Sequence, residues 1–134
     1  MDTSSNTVTK TSKLDGPTQS LIDLTYLNEF TEGDANFIRA MIDLFMQNLP
    51  SSLEIILNAN GTDDMKTLKA EVHKLKSSIS LVGIASASKS IEIIENEIRT
   101  NPFGEMRRKE VEIFNQICLK AYTELEVMYS SCEK

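Results

Sequence analysis

The chain has 134 residues, is 40% hydrophobic and 25% charged, carries a formal net charge of -6 and has no Trp; that suits one globular domain, and the scarcity of Gly, Pro and aromatics leans toward helices. The negative charge argues against general nucleic-acid binding, which calls for a basic surface. No apolar run nears the roughly 20 residues that span a membrane, and no basic start leads into an apolar stretch as in a secretory signal, so no membrane association and a cytoplasmic location are expected.

Residues 1–20 are rich in Ser, Thr, Asn and Lys, with Gly16 and Pro17 near their end, and lack apolar periodicity. They read as a flexible N-terminal tail, and residues 21–134 as the domain. Leu21, Leu24, Leu27 and Phe30 predict one short leading helix, capped by Thr25. Asp34 then caps a long helix whose apolar residues are Phe37, Met41, Leu44, Phe45, Leu49, Leu53 and Ile56. Pro50 interrupts this pattern and predicts a bend near Met46 to Pro50. Asn60-Gly61 predicts the helix end, and Asp63 the start of the next. On that next helix Leu68, Val72, Leu75, Ile79 and Val82 share one face, and Gly83 marks a break or a close contact. Ile84, Ala87, Ile91, Ile94 and Ile98 outline a further helix, and Asn101-Pro102-Phe103-Gly104 a turn. The last helix carries Val111, Phe114, Cys118, Ala121, Leu125 and Met128.

Amphipathic helices joined by short turns must bury their stripes against one another. The expected fold is therefore all-α: an antiparallel up-down four-helix bundle preceded by a short N-terminal helix. Cys118 and Cys132 stand about 21 Å apart along one helix, beyond disulfide reach. Cys118 falls on the apolar stripe and reads as a buried small hydrophobe, Cys132 as an exposed thiol.

The chain has a single histidine, His73. Val72 and Leu75 face the core, so His73 points roughly 100° or more away from them. Lys69, Lys76, Ser77 and Ser80 stand three or four positions from it or from one another on that face, while Lys74 points elsewhere around the cylinder. The imidazole is thus expected to be exposed, with cations beside it and small serines beyond it. No Cys or His lies at ligand spacing for a metal, and no Ser or Cys nucleophile accompanies the ring as a base would require. From the residues alone, an ordinary solvated helix face with one histidine is the leading reading.

The stretch His73-Lys74-Leu75-Lys76-Ser77-Ser78, continuing to Val82-Gly83, resembles the histidine-containing phosphotransfer (HPt) domains of two-component phosphorelays. His73, Leu75, Lys76, the small Ser78 and Gly83 match that pattern; Ser77 stands where the family usually has glycine. The leading helix, the Phe45 to Leu53 segment with Pro50 and the bundle order are similar to the family as well.

The resemblance implies a phosphoryl carrier without an ATP or metal site of its own, and so not an enzyme. His73 would be the phosphoacceptor. Lys76 would neighbour the phosphate, and Glu95, on the next helix at the edge of its apolar stripe, would hold the second ring nitrogen. Ser77 would tune access beside the phosphohistidine. Lys69, Lys74 and Ser80 would complete the docking face, with Tyr26 and Phe30 near by. The implied partners are receiver domains of response regulators and hybrid histidine kinases, with Mg²⁺ on the receiver and no cofactor on this chain, which is expected to be a monomer. Two further classes stay open: an HPt-like module that binds a receiver without being phosphorylated, and a plain helical interaction module.

Overall fold

A computed structural model describes the backbone of residues 20–132 and the side chains of 20–129. The expected tail, apart from Ser20, and the Cys132 thiol lie outside the described residues. Five helices follow in order: α1 (Thr25–Phe30), α2 (Ala35–Thr62), α3 (Met65–Val82), α4 (Ala85–Thr100) and α5 (Glu105–Cys132). No strand occurs among the described residues.

The long helices α2–α5 form the bundle. Each packs against the next in sequence, and α2 closes the ring against α5. Two-residue connections join α2 to α3 and α3 to α4, which forces neighbouring helices to run antiparallel. The buried interior holds Ile42, Leu49 and Ile56 of α2, Leu68, Val72, Leu75, Ile79 and Val82 of α3, Ile91 and Ile94 of α4, and Val111, Phe114, Cys118, Ala121 and Leu125 of α5. Burial pushes the Cys118 thiol up to about 12, so it packs as a neutral hydrophobe.

Several expected boundaries shift. Thr25 does not cap α1: Leu24 stands at the N-cap without a side-chain bond, and Oδ1 of Asp23 just before it accepts the Thr25 N–H at 3.0 Å and the Thr25 hydroxyl at 2.6 Å. Thr25 is the first helical residue, and only Leu27 of the helix is buried. Asp34 caps α2 as expected, accepting the N–H groups of Asn36 and Phe37. Phe37 and Leu44 turn outward, while Ile42 takes an inward position that the periodicity had not assigned. α2 is continuous through the exposed Pro50.

Gly61 does not end α2. The helix runs to Thr62, and Asp63 adopts the left-handed conformation (φ 56°, ψ 36°). The Asp64 N–H then closes on the Ala59 carbonyl at 3.0 Å, as in a glycine-terminated helix. Asp64, not Asp63, caps α3, accepting the Thr67 N–H. An aspartate tolerates the left-handed region better than most residues, and here two arginines hold it. The fully buried Arg107 of α5 donates to Asp63 Oδ1, to the Asn60 side chain and to the carbonyls of Asn60 and Pro102. Arg108 Nη2 lies 3.0 Å from Asp63 Oδ2. A guanidinium at the end of α2 satisfies a carbonyl that the helix cannot, and its charge complements the helix dipole.

At the opposite end of α3, Gly83 is left-handed (φ 75°), and a Cβ there would sit 1.8 Å from the Asp23 carbonyl oxygen. The Asp23 N–H donates to the Gly83 carbonyl at 3.0 Å. Both anticipated roles of Gly83, break and close contact, are therefore met. The contact brings the segment before α1 onto the α3–α4 corner, while Glu124 Oε1 of α5 accepts the Leu21 N–H.

Removing the buried guanidinium leaves the Asn60 carbonyl and side-chain oxygens without their donor and Asp63 with Arg108 alone, so Arg107→Ala should cost about 3 kcal/mol in denaturant unfolding. Hydrogen bonds from Arg108 and then Arg107 hold the Asp63 carboxyl below its ordinary 3.8. Its contribution to stability is therefore present above that value and lost as pH falls through the lower folded one. Asp63→Asn should melt below the wild type at neutral pH, and the gap should close in acid below about pH 4.

Candidate functional site

The site lies on the outer face of α3 and reaches across to α4. Val72 and Leu75 are buried in the core, which rotates His73 outward, with 74% of its side chain exposed. One turn on, Lys76 is half exposed, and its Nζ donates to Glu95 Oε1 at 2.9 Å. Glu95 Oε2 lies 3.7 Å from His73 Nδ1. That is beyond hydrogen-bond length but well within reach of a charge.

Glu95 can serve both groups because of where α4 places it. Ile91 and Ile94 anchor that helix in the core, and Glu95, next along the chain, sits at the edge of their stripe with 26% of its side chain exposed. Nε2 of His73 has no hydrogen-bond partner among the described residues and opens to solvent. The ring thus has one nitrogen facing a carboxylate and one free, an arrangement that suits an outward-facing nucleophile.

Lys69, Lys74, Ser77 and Ser80 are exposed on α3, as expected. Lys74 is engaged with Glu71, its Nζ 3.3 Å from Oε2, a charge contact without hydrogen-bond alignment. α1 completes the surface. Tyr26 and Phe30 are exposed and stack with ring centroids 6.3 Å apart. Tyr26 lines an open groove of about 500 Å³ with Lys76, Ser77, Ser78, Ser80 and Leu81. On the α2 side, Leu44, Leu75, Leu81 and Val82 help form a smaller apolar cleft. The face around His73 is therefore a charged cluster flanked by shallow, partly apolar grooves. Among the described residues, no group of His, Cys, Asp and Glu could hold a metal ion, and no helix is long and apolar enough to cross a membrane.

Sequence reasoning named His73, Lys76 and Glu95 and gave Lys76 and Glu95 separate tasks; a Lys or Arg partner for Glu95 was the alternative, but Lys76 was not named as that partner. One signal was available. His73 stands ten positions before Gly83 and Glu95 twelve after it, so an antiparallel turn at Gly83 brings the two to the same height. Lys76, one turn nearer the corner, then lies within a side chain's length of the same carboxylate.

The rotation of α3 is directly testable. Leu75→Ala should cost about 2–4 kcal/mol, because Leu75 fills the core. Ser77→Leu should stay within about 0.5 kcal/mol of wild type, because position 77 faces solvent. Denaturant melts of the two variants check this; comparable losses would mean that α3 is turned differently.

In comparison with known proteins, a family model described as Hpt domain aligns with residues 40–126, a span that contains His73, Lys76 and Glu95. No curated protein and no solved structure matches the chain.

Proposed function

The chain belongs to the Hpt domain family, and on that footing we propose that it carries a phosphoryl group on His73 from the receiver domain of a hybrid histidine kinase to that of a response regulator. Hpt domains are phosphotransfer modules of two-component signalling, phosphocarriers rather than enzymes, and they interact with receiver domains. The observation that carries the proposal is the exposed imidazole, with Nε2 open and Nδ1 facing Glu95.

In the proposed step the Nε2 lone pair forms a bond to the phosphorus of a receiver's phosphoaspartate. The P–O bond to that aspartate breaks, and its electron pair leaves on the carboxylate. Nδ1 keeps its proton, and Glu95 stabilises the cationic ring as a carboxylate does for other histidines in nucleophilic or metal sites. Lys76 offers a point charge to the phosphoryl oxygens. Transfer to the next receiver runs the same step in reverse. Mg²⁺ belongs to the receiver, and the chain supplies the nucleophile and its setting. Its working compartment is proposed to be the cytoplasm, where kinases draw on ATP.

The receiver is proposed to cover His73, Lys76, Ser77 and Ser80, with Lys69 and Lys74 at the charged rim and Tyr26 and Phe30 as the apolar contribution. Transient interfaces of this kind are small, with an apolar centre and a polar edge. Ser77 adds a Cβ and hydroxyl beside the phosphohistidine and is proposed to tune how closely a receiver approaches.

His73→Gln should fold as wild type does, since the side chain is exposed, and should take no acid-labile label from a phosphorylated receiver. Labelling of that variant would contradict the proposal. Ser77→Leu should lower the transfer rate while leaving the melting curve unchanged; unchanged transfer would remove this face from the docking surface.

A further inference from the structure

The Glu95 carboxylate is shared unequally. Oε1 holds Lys76 Nζ at 2.9 Å, while Oε2 stands 3.7 Å from His73 Nδ1. Without phosphate, then, the carboxylate is committed to the lysine and only near the ring. Lys76 is on the same helix as His73, one turn away, and about half exposed, so its flexible four-carbon stem can swing without moving the backbone.

A phosphoryl group on Nε2 brings close to two negative charges and three acceptor oxygens to within reach of that lysine. A dianion attracts an ammonium more strongly than one partly solvated carboxylate does. Phosphorylation also leaves the ring with its proton on Nδ1, on the side that faces Glu95. The two ends of the existing ion pair each acquire a better partner at the same moment.

We propose that the Lys76–Glu95 pair is an exchange switch: on phosphorylation Lys76 leaves Glu95 for the phosphoryl oxygens, and the released Glu95 closes on the Nδ1–H of His73. The inference rests on His73 being the phosphoacceptor and adds how that site is regulated. Lys76 and Glu95 then act in opposite senses on the phosphorylated ring. Lys76 binds the phosphoryl group and lengthens its stay. Glu95 stabilises the cationic imidazole, the better leaving group, and shortens it. Before phosphorylation each holds the other out of action. Both are positioning residues, since bond making and breaking occur at Nε2.

Other charged groups near the ring do not perform this exchange. Lys74 is held by Glu71 at 3.3 Å, and Lys69, a turn before His73 on α3, has no ion pair among the described residues. From α4, among the described residues, Glu95 is the charged group that reaches the ring, 3.7 Å from Nδ1.

The test uses the full chain and phosphoramidate as donor. The Nε2 lone pair forms the new P–N bond while the donor's P–N bond breaks, and its electron pair leaves with ammonia. Wild type, Glu95→Gln, Lys76→Met and Lys76→Arg are phosphorylated, and the half-life of the phosphohistidine is read by phosphorus NMR. Glu95→Gln should lengthen the half-life and Lys76→Met shorten it, each about two- to fivefold, the range a partly exposed charge pair supports. Lys76→Arg should restore it toward wild type.

The imidazole proton spectrum supplies a second readout. A downfield Nδ1–H resonance should appear in wild type only on phosphorylation, be absent in Glu95→Gln, and already be present in unphosphorylated Lys76→Met. Half-lives that move in the same direction, or an Nδ1–H signal indifferent to Lys76, would overturn the exchange while leaving His73 as carrier. A wild type that takes no phosphate on His73 would overturn both.

Discussion

The candidate site follows from the rotation of one helix. Leu68, Val72, Leu75, Ile79 and Val82 must all leave water, and a helix satisfies that in only one rotational setting. Each buried aliphatic side chain is worth roughly 1.5–3 kcal/mol, so five of them outweigh any preference of the polar face. That setting fixes where His73, Lys76, Ser77 and Ser80 point, because each lies on the opposite side of the same cylinder. The imidazole is exposed because its neighbours cannot be.

The same logic sets the second half of the cluster. α4 is anchored by Ile91 and Ile94, and the turn at Gly83 returns it beside α3. The turn is tight because Gly83 is left-handed and leaves room for the Asp23 backbone. That one corner joins the leading segment, the end of α3 and the start of α4. At the far end of the bundle, Arg107 ties the last turn of α2 to the start of α5. The charged cluster thus rides on two helices whose ends are pinned, which holds functional side chains more firmly than loops do.

Much of this was legible in the sequence, and the exceptions have local causes. The α3 stripe, the Asp34 cap, the Gly83 corner and the buried Cys118 could be read because each depends on periodicity or on a residue's own backbone preference. Asn60-Gly61 was read as a stop because glycine is the usual one; the actual stop, Asp63, is left-handed and held by Arg107 and Arg108 from α5, more than forty residues on. Periodicity placed Leu44 and Phe37 inside, but the bundle has room for only part of a broad stripe on α2, and Ile42 filled it. Arg107 gave no signal at all, since a buried arginine looks like any other charged residue until its carbonyl partners are brought to it. Lys76 and Glu95 were each singled out; their pairing depends on the height of one helix against another, which the sequence shows only through the distance of each from Gly83.

The central claim is that the Nε2 atom of His73 carries the phosphoryl group. The chain has one histidine, so protein labelled with ¹⁵N in histidine reports on that ring alone. After incubation with a phosphorylated receiver domain, the phosphorus signal should be split by ¹⁵N, and the coupled nitrogen should be Nε2, with Nδ1 still protonated. Coupling to Nδ1, or phosphate on the protein with no coupling to either nitrogen, would contradict the claim.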